Sequence, residues 1–266
     1  MFWPKLDAEP DALEFLKQQP YAHRGLHDVT AGIPENSLAA FDRAIAAGVG
    51  IELDVRLTRD GDVIVFHDET LDRLTDRTGP VYARNREQLR GIHIAGTANK
   101  IMTLHDTLIH IGGRVPVLIE AKTSGIPQYQ PVCFAIRRAL EGYQSPCAVM
   151  SFDPRLTGWF FRHHPKVIRG LVMTEEELKP LSRWNLRKRI KRQLVISHAH
   201  PHFLAYDIAK LPSALTANAR AQKRPVLTWT VRTHEQHVLA ASNADEVIFE
   251  GRVPSARSGP RAAPRT

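Results

Sequence analysis

Three carboxylates, two imidazoles and two cationic side chains stand beside short apolar runs in this chain, and their chemistry is complementary. In Ile51-Glu52-Leu53-Asp54-Val55-Arg56-Leu57 every odd position is apolar and every even one is charged. Successive side chains of a strand point to opposite faces, so Glu52 and Asp54 share a face. Val117-Leu118-Ile119-Glu120-Ala121-Lys122 places Glu120 and Lys122 together in the same way. A buried acid needs compensation. Three acids at one place repel each other unless a cation sits between them, and hard oxygen donors favour Mg²⁺ or Ca²⁺ over Zn²⁺. His23, from Tyr21-Ala22-His23-Arg24-Gly25, and His67, from Val65-Phe66-His67-Asp68, would flank such a centre. Two histidines there suit general acid–base catalysis near neutral pH. Arg24 and Lys122 put positive charge beside the acids. That mixture is awkward for a neutral substrate and natural for a phosphate diester, whose developing negative charge they would stabilise.

The elements that must position these groups alternate short apolar runs with helical patterns, which predicts βα units and a parallel sheet. Strands are expected at Tyr21–Gly25, Ile51–Leu57, Val117–Lys122, Ala148–Phe152, Val167–Val172, His202–Ala205, Val226–Val231 and Glu246–Phe249. Eight such strands fit a closed (β/α)₈ TIM barrel. The rival, a doubly wound open sheet, would want a glycine-rich loop after its first strand, and the sequence has none there. In a barrel the apolar face of residues 51–57 packs on the helix ring, and the charged face points inward near the mouth. The connection from Leu57 to the next apolar run is too short for a parallel crossover, so Asp60-Gly61 is read as a hairpin turn. Pairing Leu57 near Asp62 sets Val55 opposite Ile64 and Leu53 opposite Phe66, and returns His67 to Glu52; a register slipped by one residue would keep that proximity. Helices are expected over Ser37–Ala47 with Asn36 as N-cap, from Thr103 through Ile111, over Gln130–Gly142 with Cys133, Phe134, Ile136 and Leu140 as its apolar residues, and after Asp153-Pro154.

The 266 residues are 43% hydrophobic and 24% charged, which excludes a wholly disordered chain. A single domain over residues 1–253 is expected, followed by a basic disordered tail, 254–266. Two cysteines, Cys133 and Cys147, make no disulfide framework. No apolar run reaches the roughly 18 residues a bilayer span needs. Met1–Pro10 carries one basic residue and no apolar core, unlike a secretory signal, so a cytoplasmic protein is the default. Two stretches, Arg183–Arg192 with six basic residues and Gly251–Thr266 with four arginines, together exceed the whole net charge of +8. The rest of the chain is close to neutral, which argues against a nucleic-acid binder. Leu186, Ile190 and Leu194 recur at helical spacing within and after the first stretch, beside Trp184. That pattern reads either as a helix covering the barrel or as one docking on an anionic membrane surface.

At the chemistry-bearing residues the sequence resembles the glycerophosphodiester phosphodiesterase family. The matching segments are Ala22-His23-Arg24-Gly25, Pro34-Glu35-Asn36-Ser37, Glu52-Leu53-Asp54-Val55, Leu57-Thr58-Arg59-Asp60-Gly61, His67-Asp68, Glu120-Ala121-Lys122, Ser151-Phe152 and Trp229-Thr230-Val231, in the family's order. The resemblance implies a (β/α)₈ barrel with a small insertion after the second strand, here about residues 69–100. It implies His23 and His67 as the acid–base pair, Glu52, Asp54 and Glu120 as ligands of a divalent metal, Mg²⁺ or Ca²⁺, and Arg24 and Lys122 as the phosphate grip. Trp229 would contact substrate or pack in the barrel. The implied reaction hydrolyses a glycerophosphodiester to sn-glycerol 3-phosphate and an alcohol. One route runs through attack by the neighbouring glycerol hydroxyl and a cyclic phosphate. Two residues depart from the family pattern: Arg232 stands where Asn is frequent, and Glu250 where Asp is frequent. Both fall at the mouth and bear on the alcohol head-group.

Plainer readings attach to the same residues. His23 and His67 could be hydrogen-bonded core histidines, and the acids could be ion-paired with Arg24, Arg56 and Lys122 without a metal. His163, His164, His198, His200 and His202 fit no ligand spacing and are read as surface or loop residues. Ser151 lacks a nucleophile-elbow context. Two further functions stay open: a membrane-docked lysophospholipase D, and a non-catalytic phosphodiester-binding barrel.

Overall fold

The computed structural model describes residues 2–174 and 183–254, without the side chains of 183–189. Among the described residues nine strands form one sheet: β1 (Tyr21–His23), β2 (Gly50–Leu57), β3 (Val63–Val65), β4 (Val117–Ala121), β5 (Cys147–Ser151), β6 (Ile168–Met173), β7 (Phe203–Asp207), β8 (Val226–Val231) and β9 (Glu246–Phe249). Eight of them pair in parallel around a closed ring, because β1 bonds both β2 and β9. β3 alone runs antiparallel, outside the ring on β2. This is the expected (β/α)₈ barrel.

The apolar set of β2 does what its alternation dictates. Ile51, Leu53, Val55 and Leu57 join Phe41, Leu104, Ile111 and Leu156 in the layer between barrel and helices. The barrel interior is a second core of Leu118, Met150, Phe203, Leu227 and Ile248. Gly170 makes room for it: a Cβ there would sit 2.3 Å from the Phe203 ring. The N-terminal segment closes the barrel floor with Leu13 and Leu16, both nearly free of solvent contact. Burying a side chain of that size contributes roughly 1.5–3 kcal/mol.

Three local expectations are corrected. The β2–β3 register is Val55 opposite Val65 and Leu57 opposite Val63, one residue from the expected pairing. The reason is the loop, which holds five residues, Thr58 to Asp62, and is closed by a 2.8 Å bond from Thr58 N to Asp62 O. Such a slip exchanges faces. Val63 and Val65 therefore enter the main core, while Ile64 and Phe66 face a separate small core with Leu71, Val81, Leu89, Ile92, Ile94 and Ile101. Those last six residues come from the segment after β3, so the insertion has a core of its own. Secondly, Ser37 rather than Asn36 caps the helix Leu38–Ala46, its side chain accepting from Ala40 N. Asn36 adopts a left-handed backbone, φ 53°, that a capping residue does not have. Thirdly, His202 is fully buried rather than superficial, and its Nε2 lies 2.9 Å from Asp7. Asp7 also takes a 2.5 Å bond from the buried Arg169, so the floor of the barrel holds a polar cluster tied to the N-terminal segment.

Asp153 caps its helix, with Pro154 opening it, and Thr103, expected as the first residue of its own helix, is instead the N-cap of Leu104–Ile111. The helix from Gln130 ends at Ala139, and Phe134 lies on its exposed side, not in the core. The basic stretch lies in the helix Arg183–Ala199. Leu186 and Trp184 fall among the residues whose side chains are not described, but Ile190 and Leu194 are 52% and 64% exposed. Ile196 and Ala199 cover the barrel instead. Apart from Pro254, the expected tail lies outside the described residues.

Candidate active site

The chain turns sharply after β1. Arg24 and Gly25 both have positive φ, 58° and 78°. At Gly25 only glycine fits, since a Cβ would come within 2.9 Å of Ala40 and Phe41. The turn aims Arg24 N at Glu52 Oε2, 3.0 Å away, and Gly25 N at the Glu52 carbonyl. Asn36 then brackets Asp54, donating to its Oδ2 and accepting from its backbone N–H at 3.0 and 3.2 Å.

Glu52 and Asp54 on β2 meet Glu120 on β4 because Asp54 and Glu120 are register partners. One oxygen from each of the three acids lies within 4.8 Å of the others, and all three residues are buried. Lys122 Nζ touches Glu120 Oε1 and stands 2.9 Å from Asp54 Oδ1 as an ion pair without hydrogen-bond alignment. Arg24 Nε lies 3.3 Å from Asp54 Oδ2. Arg56 takes no part: it donates to the His67 carbonyl and to Ser124. Two cations thus face three acids. Burial, reinforced by the Asp54 charge, raises the pKa of Glu52, and burial likewise raises that of Glu120. For Asp54 burial acts in the same sense, but Lys122 and Arg24 outweigh it and lower its pKa. Glu52 Oε1 is buried without a hydrogen-bond partner. An all-oxygen donor set with a surplus negative charge and an orphaned oxygen fits a hard divalent cation.

The histidines stand on either side of this cluster. His23, at the end of β1, has Nε2 3.9 Å from Glu52 Oε2 and Nδ1 2.5 Å from Glu250 Oε1. Burial opposes its charged form, yet Glu52 and Glu250 prevail and raise its pKa. His67 leaves β3 with Nδ1 2.7 Å from Asp68 Oδ1. Its burial, helped by Arg24 and Lys122, outweighs Asp54 and Asp68 and lowers its pKa. Arg73 donates to both Asp68 oxygens and to both Glu35 oxygens, at 2.5–2.9 Å, and Glu35 accepts from Arg24 at 2.7 Å. Hydrogen bonding from Arg73 is the main reason the Asp68 pKa falls to about 2.

These groups open on one cavity of about 460 Å³ at the carboxyl ends of the strands, lined by His23, Arg24, Glu52, His67, Glu120 and Lys122. Its apolar wall includes Phe152 and the half-buried Trp229, whose rings meet edge to face at 5.5 Å. Of the residues given metal, acid–base or substrate roles from the sequence, His23, Arg24, Glu52, His67, Glu120, Lys122 and Trp229 line this one opening. Asp54, the remaining one, is sealed beneath it. Sequence reasoning missed Arg73 and the pairing of the two departures, Arg232 and Glu250. Asp68 was visible as the neighbour of His67, but nothing in the spacing marked Arg73.

The model of the Glycerophosphoryl diester phosphodiesterase family matches residues 23–250. The chain is 36% identical over 159 residues to the glycerophosphodiester phosphodiesterase of Caldanaerobacter subterraneus, 56% of this chain and 60% of that one. It thus spans less than two thirds of that relative. Against YhdW of Bacillus subtilis it is 36% identical over 239 residues, 86% of this chain and 93% of YhdW. A phosphodiesterase of Oleispira antarctica, solved in complex with the product sn-glycerol-3-phosphate, superposes with a TM-score of 0.73 at 23% identity, covering 90% of this chain and 94% of that one. A glycerophosphodiester phosphodiesterase of Thermotoga maritima gives 0.65 at 25% identity, covering 86% and 92%.

Proposed function

This chain belongs to the glycerophosphoryl diester phosphodiesterase family, and from that membership we propose that it is a divalent-metal-dependent hydrolase of glycerophosphodiesters, releasing sn-glycerol 3-phosphate and an alcohol. The observation that carries the proposal is the convergence of Glu52, Asp54 and Glu120 with His23 and His67 around one cavity. Glu52, Asp54 and Glu120 would hold Mg²⁺ or Ca²⁺, which when bound supplies a Lewis acid for the phosphoryl oxygens. Arg24 and Lys122 bind the phosphate and stabilise the charge that develops on it. The adjacent glycerol hydroxyl attacks phosphorus, one imidazole takes its proton, and the other protonates the departing alcohol oxygen. Water then opens the cyclic phosphate with the proton transfers reversed. Trp229 and Phe152 bound the substrate on the apolar side. In this reading residues 1–253 make up one catalytic domain, with 69–100 as the insertion that follows His67.

Turnover of glycerophosphocholine, glycerophosphoethanolamine, glycerophosphoglycerol and a lysophospholipid, each with Mg²⁺, Ca²⁺ or chelator, tests this directly. Metal-dependent release of glycerol 3-phosphate is expected, and it should fall by about 1,000-fold in His67→Ala. Wild-type turnover in that variant would remove His67 from the mechanism, and no turnover by the wild type would reduce the barrel to a binding protein.

One observation favours a second reading, a membrane-docked lysophospholipase D. Ile190 and Leu194 project from the basic helix into solvent instead of covering the barrel. No described helix is long and apolar enough to cross a membrane, so contact would be at the surface. Co-sedimentation with anionic vesicles at low salt, together with lysophospholipid turnover, is the expected result; absence of both removes this reading.

A further inference from the structure

The two departures from the family pattern touch each other. Glu250 follows β9, and its backbone N–H donates to Val231 O at 3.0 Å, which pins it beside the end of β8. One side-chain oxygen, Oε2, accepts from Arg232 Nε at 2.7 Å. The other, Oε1, is the 2.5 Å partner of His23 Nδ1. Arg232 is itself anchored, because its backbone N–H donates at 2.7 Å to Gln236 Oε1, part of the capping box that opens the helix His234–Asn243.

We infer that Glu250 is a positioning residue for His23, and that Arg232 holds Glu250 in place. An imidazole has two nitrogens, and the hydrogen bond made by one sets the proton on the other. With Nδ1–H donating to Glu250, the ring is fixed with Nε2 turned toward the cavity, the atom that exchanges a proton with substrate. The pairing with His23 and Arg232, against burial, holds the Glu250 carboxyl down at about 2, so it is a full acceptor throughout the working pH range. Arg232 thereby spends its Nε on Glu250 rather than on a head-group. The inference rests on the proposed role of His23 and reassigns Arg232 and Glu250 from head-group selection to proton-transfer geometry.

The test is Glu250→Gln, which keeps the side chain's size and removes its charge. With the best glycerophosphodiester and metal, kcat should fall by about 100-fold while KM stays within about twofold. Glu250→Asp, which restores the carboxylate on a shorter arm, should recover part of that loss. In ¹⁵N-histidine spectra the wild-type His23 signal should report a proton on Nδ1, and Glu250→Gln should shift that signal alone. Unchanged kcat in Glu250→Gln, a loss confined to KM, or an unmoved His23 signal would overturn the inference. If the wild type hydrolysed no glycerophosphodiester, the proposed function would fail, and the spectra alone would still decide whether Glu250 sets His23.

Discussion

His23 ends a strand of the closed barrel, and its carboxylate partner directly follows the last strand, 227 residues away. His67 stands where a hairpin strand runs out into the insertion, and its partner is the next residue. Each carboxylate is in turn held by an arginine, Glu250 by Arg232 and Asp68 by Arg73. The two sides thus share an order of parts but not a way of assembling them. Barrel closure builds the His23 side; a local turn and an insertion with its own core build the other. Their fields differ too. Glu52 and Glu250 bias His23 toward imidazolium, whereas burial beside Arg24 and Lys122 biases His67 toward the neutral base. Environments that push two titratable groups apart are what the proposed acid–base pair would need.

The largest expected effect tests whether the two sides act as one machine. His23→Ala and His67→Ala should each lower kcat by about 1,000-fold, and the double variant should be hardly worse than either. Steady-state rates on all three proteins measure this. Multiplicative losses would mean two independent sites of action and would break the comparison.

A second contrast lies at the opposite end of the barrel. The floor cluster of Asp7, Arg169 and His202 supports the fold, and no atom of it lines the cavity. Burial, aided by Arg169, depresses the His202 pKa to about 4. An unfolded histidine titrates near 6.5, so its contribution is complete above that pH and is lost as pH falls toward 4. Stability should drop over this window by about 3 kcal/mol. Urea unfolding at stepped pH checks it, and His202→Gln should flatten the slope there. A slope that survives the substitution would move its origin to the mouth.

Metal binding separates the sides next. All three candidate ligands stand on β2 and β4, and the insertion supplies none of them. At 100 times its Kd, Mg²⁺ or Ca²⁺ should stabilise the protein by about 3 kcal/mol. Thermal melts should show that gain intact in His67→Ala and absent in Glu52→Gln. A gain lost in both would make the insertion part of the metal site.

Legibility from sequence followed the same divide. The period-two alternation in residues 51–57 revealed both the barrel strand and its inward acids, because a strand in a closed sheet has only two faces. His67-Asp68 was readable because the partners are adjacent. The hairpin register was missed by one residue because a five-residue loop, not the Asp60-Gly61 pair alone, sets it. His202 looked like a loop residue because its partner, Asp7, lies in an N-terminal segment with no periodic signature. Glu250 showed only as an odd residue. Its meaning depends on β9 closing against β1, a contact no local pattern encodes.

The smallest effect distinguishes the two arginines. Arg73 bridges Asp68 and Glu35, and Glu35 also braces Arg24, one of the two cations proposed to bind the phosphate. Among the described acids, Arg232 pairs with Glu250. Arg73→Ala should therefore raise KM and lower kcat together, for a combined loss in kcat/KM of about tenfold. Arg232→Ala should lower kcat by about fivefold and leave KM where it was, since a half-exposed ion pair contributes on the order of 1 kcal/mol. Both side chains are about half exposed, 48% and 55%, so neither substitution disturbs a core and melting temperatures should stay close to wild type. The split between KM and kcat, rather than the size of either loss, is what separates a phosphate grip supported from the insertion from a proton path supported from the barrel.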